Sequence, residues 1–154
     1  MKASSRTTPS ANSLETRAIN ILGAVGLLRR RTRKRRSKDV DMVFGRDDFP
    51  FGAWNVRFKV CDELSLDDVA TEVGIAQGNG NRVALVASTG KVNSAARNYA
   101  AYISDKTRFQ VIVLDGRDLA RMERNPRSVR RTLAAQTDLA MFLPKATCYS
   151  GQRV

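Results

Sequence analysis

Two apolar segments in the second half of the chain constrain its fold more than any other feature. Val83 to Ala87 reads VALVA, and Phe109 to Leu114 reads FQVIVL. Neither shows the polar–apolar alternation of a strand with one wet face. Short continuous apolar runs bounded by turn residues fit strands covered on both faces. Between them Asn93 opens a stretch in which Ala96, Tyr99, Ala100 and Ile103 recur at helical spacing. A buried strand, a helix and a second buried strand form a crossover unit, and so a parallel pair.

The first half has a different rhythm. Asp39 to Phe44 alternates, with Val40, Met42 and Phe44 on one face and Asp39, Asp41 and Val43 on the other. Gly45 to Gly52 contains Pro50 and reads as a loop. Trp54 to Val60 (WNVRFKV) alternates again, with Asn55, Arg57 and Lys59 on its polar face. Pairing the two as a hairpin puts Asp41 and Lys59 on the same face of a sheet. Helices are expected from Asn12-Ser13-Leu14-Glu15, a capping pattern followed by Ala18, Ile21, Leu22 and Val25, and again from Ser65-Leu66-Asp67-Asp68. The first should end near Gly26, the second at Gly78-Asn79-Gly80. Asp115-Gly116 reads as a turn, Arg117 to Arg124 as a short helix, and Arg127 to Leu143 as a last helix. The expected architecture is an α/β domain over residues 12–143, with a mixed central sheet flanked by helices. Residues 1–11 are expected to be a disordered leader and 144–154 a polar tail.

Composition narrows the chemistry. The 154 residues include no histidine, which excludes Ser-His-Asp and Cys-His catalysis within this chain and any zinc site needing imidazole. The two cysteines, Cys61 and Cys148, are too few for a four-thiolate zinc site or a disulfide framework, and both are expected to be reduced in a cytoplasmic protein and to serve as buried filler. No apolar run reaches the ~18 residues of a membrane span, and the polar start lacks the apolar stretch of a signal peptide. The formal net charge is +12, which points to a polyanionic partner, nucleic acid first. Arg29, Arg30, Arg31, Arg33, Lys34, Arg35, Arg36 and Lys38 place eight basic residues and no acid within ten positions. The pattern permits a strand only weakly; its chemistry suits phosphate oxygens, onto which arginine forks. Arg124, Arg127, Arg130 and Arg131 form a second, sparser basic cluster.

Three polar positions suit metal-assisted hydrolysis: Glu15 on the first helix, Asp41 on a strand and Lys59 on the next. Mg²⁺ prefers carboxylate oxygens and needs only one or two from the protein. A lysine beside it can steady developing charge. Each residue also has a plain reading: Glu15 as a cap partner, Asp41 as a counter-ion to the basic run, Lys59 as a solvated strand residue. Asp47-Asp48 is a rival acidic pair in the loop. Ser88-Thr89-Gly90-Lys91 lacks the spacing of a nucleotide-binding phosphate loop and reads as a connection, with Lys91 able to reach a DNA phosphate.

The stretches LETRAINILGAVGL, DVDMVF, WNVRFKV with LSLDDVATEVG, and VALVASTGKVNSAARNYA with FQVIVLDGRDL together resemble the Mrr-type restriction endonuclease domain of the PD-(D/E)xK nuclease superfamily, over about Leu14 to Leu119. The resemblance implies a restriction-endonuclease-like fold and a DNA endonuclease dependent on Mg²⁺ or Mn²⁺. It makes Asp41 the metal-binding aspartate, Lys59 the motif lysine, Glu15 the helix glutamate and Asp39 an accompanying acid. Cutting both strands would call for two active sites, as in a homodimer. The sequence departs from the pattern at Arg57, where the family carries Glu or Gln. Two alternatives follow from that departure and from the charge: a DNA-binding domain of the same fold that has lost cleavage, and a basic structural protein that binds nucleic acid.

Overall fold

A computed structural model of the chain describes residues 11–46 and 52–137. Asp47-Asp48, Cys148 and the expected tail lie outside the described residues, as does the stretch beyond 137 of the expected last helix. The elements are α1 (Ala11–Gly23), β1 (Leu28–Arg35), β2 (Asp39–Gly45), β3 (Trp54–Lys59), β4 (Glu63–Leu64), α2 (Leu66–Gly78), β5 (Val83–Ser88), β6 (Lys91–Val92), α3 (Ser94–Lys106), β7 (Gln110–Leu114), α4 (Gly116–Arg124) and α5 (Ser128–Ala134). None of the helices among these residues is long and apolar enough to cross a membrane.

The main sheet has the order β1-β2-β3-β5-β7. β1, β2 and β3 form an antiparallel meander, and β3, β5 and β7 are parallel, so the sheet is mixed as the sequence implied. The reason is connection length. Only eight residues, 46–53, separate β2 from β3, whereas α2 and α3 occupy the crossovers to β5 and β7. β4 and β6 make a separate parallel pair.

Alternation along the strands divides the core in two. Val40, Met42 and Phe44 of β2, Trp54, Val56 and Phe58 of β3, and Leu85 and Ile112 face α1, α4 and α5. Ala84, Val86, Val111 and Val113 face α2 and α3, where Val69, Val73, Ala96 and Ala100 cover them. The apolar runs read as buried strands are buried at every position, Gln110 included.

The helix starts are local chemistry. Ser65 and Asp68 form a reciprocal capping box on α2, and Asp115 and Asp118 form one on α4. Asp115-Gly116 is thus the start of a helix rather than a free turn. α1 runs from Ala11 through Asn12 and ends at Gly23, earlier than Gly26, which turns the chain at φ 82°. The turn at Ser88–Lys91 is packed tightly. A methyl group on Gly90 would overlap the carbonyl oxygens of Cys61 and Asp62, and one on Gly116 would overlap that of Thr89. The Gly116 amide donates to the Gly90 carbonyl at 2.9 Å, and Ser88 Oγ accepts from the Gly90 amide at 3.0 Å. The small-residue turn and the Asp-Gly step are therefore two halves of one close backbone contact. At the far edge, Gln136 donates to the Val113 carbonyl and accepts from its amide, at 2.8 and 2.9 Å, and so blunts β7 as an edge strand.

Candidate functional site

The basic run is a β-strand. β1 lies at the open edge of the sheet, almost wholly exposed, and pairs with β2 through two register shifts. The shifts fall between Arg29 and Arg31 and between Thr32 and Lys34. Bulges of this kind re-aim side chains, and they divide the arginines between the two faces.

Arg29, Thr32 and Arg35 pair in register with Phe44, Met42 and Val40, on the α1 side. There they converge on Glu15. Arg29 donates to Glu15 Oε1, Thr32 Oγ1 lies 2.6 Å from the same oxygen, and Arg35 Nε donates to Oε2 at 2.9 Å. Burial alone would raise the Glu15 pKa, but the bonds from Thr32 and Arg35 and the two guanidinium charges bring it below the usual value. Glu15 thus pins α1 to β1 rather than capping its own helix. It lies on the opposite face of the sheet from Asp41.

Lys34 pairs with Asp41 in register and Arg31 with Val43, so these face α2. Arg33, Lys34 and Arg36 wall a cavity of about 290 Å³ whose floor includes Asp39, Asp41 and Arg57, with Thr71 and Ile75 of α2 on its far side. Among the described residues, no side-chain hydrogen bond or ion pair engages Arg31, Arg33, Lys34, Arg36 or Lys38.

The β2–β3 register sets Asp39 opposite Lys59, Asp41 opposite Arg57 and Val43 opposite Asn55. Asp41 and Lys59 therefore share a face as diagonal neighbours, not as a direct pair. Arg57 takes the central position. It donates to Asp39 at 3.0 Å and comes within 3.7 Å of Asp41. The bond it donates to Asp39 and the charges of Asp41 and Asp39 outweigh burial and raise the Arg57 pKa. Lys59 turns to α2 instead, donating to Asp68 at 2.8 Å. Burial opposes ionisation of Asp68, but that lysine and the Ser65 hydroxyl and amide hold its pKa below the ordinary range.

Asp41 Oδ1 is buried and accepts no hydrogen bond. Burial, aided by the Asp39 charge and opposed by Arg57, raises its pKa. Beside it lies a residue that sequence reasoning missed. Glu72 on α2 is fully buried, and neither of its oxygens accepts a well-formed hydrogen bond. Burial, with the Asp41 charge added, pushes its pKa up to about 7, against smaller opposing effects of Arg57, Arg33 and Asn55. The signal was available: Val69, Glu72, Val73 and Ala76 are the inward positions of α2, so an acid breaks an otherwise apolar stripe. Asn55, opposite Val43, accepts from Asn81 at 2.5 Å while its own amide nitrogen makes no well-formed hydrogen bond.

The other expected contacts lie elsewhere. Lys91 sits exposed on β6, and Arg124, Arg127, Arg130 and Arg131 are exposed on and between α4 and α5, on the α1 side. Cys61 is a partly buried free thiol 3.2 Å from Ser88 Oγ. Among the described residues, no group of three acidic or cysteine side chains is clustered so as to hold a metal.

No curated protein matches the chain. A family model for the Mrr catalytic domain, described as restriction endonuclease, matches residues 8–123, from α1 through α4. That span contains the five-stranded sheet and both faces just described, so the chain belongs to the Mrr-type restriction endonuclease family.

Proposed function

We propose that this domain is a divalent-cation-dependent DNA endonuclease acting in restriction or defence, with its site on the α2 face of the sheet. The observation that carries the reading is Asp41. It offers a buried oxygen that accepts no hydrogen bond, on the face that also carries Lys59, beneath the cationic wall of Arg33, Lys34 and Arg36. A buried carboxylate with an unmade bond is costly unless a cation or proton joins it. Members of the family use divalent metals, and that oxygen of Asp41 fits the preference of Mg²⁺ or Mn²⁺ for carboxylates.

When bound, such a cation supplies Lewis acidity and an activated water for attack on a phosphodiester. The chain's own residues do the rest. Arg33, Lys34 and Arg36 draw the DNA backbone to the cavity and fix its register. Lys59, held by Asp68 on the same sheet face, would meet the charge that develops on the phosphorus oxygens. Asp39 neutralises Arg57. Glu15 keeps β1 seated on α1.

Plasmid cleavage with Mg²⁺ or Mn²⁺ tests the reading. Asp41→Ala and Lys59→Ala should each reduce cleavage at least a hundredfold, and cleavage that persists unchanged in both removes the assignment. A second reading, DNA binding without cleavage, is favoured by Arg57, whose guanidinium contacts both strand acids where the family has Glu or Gln. It predicts salt-sensitive binding to duplex DNA and no cleavage with either metal.

A further inference from the structure

Glu72 has no role in the resemblance and none in the packing of α2. Its neighbours on the inward stripe, Val69, Val73 and Ala76, fill the space between helix and sheet with apolar groups. Glu72 is as buried as they are, yet neither of its oxygens accepts a well-formed hydrogen bond, and only the Asn55 amide gives weak help. The groups facing it are Asp41, also with an oxygen that accepts no hydrogen bond, Arg57, Arg33 and Asn55. Arg57 does not settle the account of charge here, because its hydrogen bond goes to Asp39. Asp39 takes the hydrogen bond of Arg57, so Asp41 and Glu72 are left with only non-bonded attraction to Arg57, 3.7 Å from Asp41, and to Arg33. Two acids facing each other in a dry site repel, and a cation between them removes both the repulsion and the desolvation penalty.

We propose that Glu72 is the second carboxylate of the divalent-cation site, so that Asp41 from β2 and Glu72 from α2 hold the ion together. The proposal rests on the nuclease reading above and names the ligand it lacks. Position 57, two residues before Lys59, carries a cation and cannot supply a carboxylate; Glu72, one helix later, can. Two carboxylates, with water completing the shell, suffice for Mg²⁺ or Mn²⁺. The cavity is lined by Asp41 and by Thr71 and Ile75, near Glu72 in α2, and Glu72 itself is buried and does not line it. Asn55, on the same sheet face, lies beside Glu72.

Mn²⁺ binding without DNA, measured by the spin-resonance signal of free Mn²⁺, tests this on the whole chain. The wild type should bind one ion, and Asp41→Asn and Glu72→Gln should each weaken binding at least tenfold. Asp105→Asn, at the exposed end of α3, should change it less than threefold. Methyl signals in the wild-type protein provide a check that needs no variant. Sub-stoichiometric Mn²⁺ should broaden Val69, Val73 and Ile75 while leaving Leu133, on the other face, sharp. If Glu72→Gln binds as tightly as the wild type, or if the α2 methyls stay sharp while Mn²⁺ binds, the assignment of Glu72 is overturned. The nuclease reading survives that result if Asp41→Asn still abolishes binding and cleavage. If the wild type binds no Mn²⁺ and cuts no DNA, both fall.

Discussion

Asp41 stands directly opposite Arg57 in the β2–β3 ladder, 3.7 Å away, and the two do not form a hydrogen bond. The guanidinium bonds to Asp39, two residues earlier, so the strand pair carries one satisfied ion pair and one unsatisfied acid. Arg57→Gln should therefore have two effects. Losing the bond to Asp39 should destabilise the fold by about 1–3 kcal/mol, read by urea unfolding. Removing a cation about 4 Å from Asp41 should raise Mn²⁺ affinity several-fold. Unchanged or weaker Mn²⁺ binding would count against a cation site at Asp41.

The protonation of Glu72 sets a second expectation, for the metal-free protein. Its pKa rises from an ordinary 4.5 to about 7 on folding. Between those values the folded chain holds a proton that the unfolded chain has released. Stability from this group is therefore full below about pH 4.5, falls as pH rises through 7, and is lost above. The loss is on the order of 3 kcal/mol. Glu72→Gln should flatten the wild-type slope between pH 5 and 8 and melt higher than the wild type at pH 8. Parallel pH profiles for the two proteins would show that Glu72 does not titrate in this way.

Glu15 answers to the opposite rule. Its pKa is lowered by Thr32, Arg35 and Arg29, so its contribution is present at neutral pH and fades as acid protonates it. Glu15→Gln leaves two guanidinium groups without their shared anion and should cost about 1–3 kcal/mol in thermal or urea unfolding. It should leave Mn²⁺ affinity within about twofold, because Glu15 lies across the sheet from Asp41. A large loss of metal binding in a folded Glu15→Gln protein would place Glu15 at the ion instead.

Arginines of one strand should differ in how they affect DNA. Arg33→Ala and Lys34→Ala remove charges that wall the cavity, and each should reduce the salt slope of duplex binding by about one. The loss should be similar for unrelated sequences, since phosphate contacts carry no base information. Arg29→Ala and Arg35→Ala remove partners of Glu15 and should act mainly on stability. Fluorescence anisotropy over a KCl series separates the two groups; equal slopes for all four variants would deny the division of faces.

The contact between Gly90 and Gly116 makes a purely structural prediction. Alanine at Gly90 meets two backbone carbonyls, and at Gly116 one, and carbonyls cannot turn aside as a side chain can. Either substitution should destabilise the fold by about 2 kcal/mol or more, in line with overpacking elsewhere. A thermal melt within a degree of the wild type would show that the turn opens freely.

Much of this protein is readable from local pattern. The runs VALVA and QVIVL required strands covered on both faces, the alternation in DVDMVF and WNVRFK put Asp41 and Lys59 on one side, and Ser65-x-x-Asp68 started α2. These signals survive folding because they depend on residues close in sequence and on whether a side chain prefers water. The destinations of the charges depend on neither. Glu15 looks like a cap partner until β1 brings Arg29, Thr32 and Arg35 against it; Asp39 and Arg57 become partners only through the β2–β3 register. Glu72 is one acid among many until α2 packs against the sheet and buries it beside Asp41. Charge acts through space and grows stronger as water is excluded, so tertiary structure decided which acids are paired and which two are left facing each other.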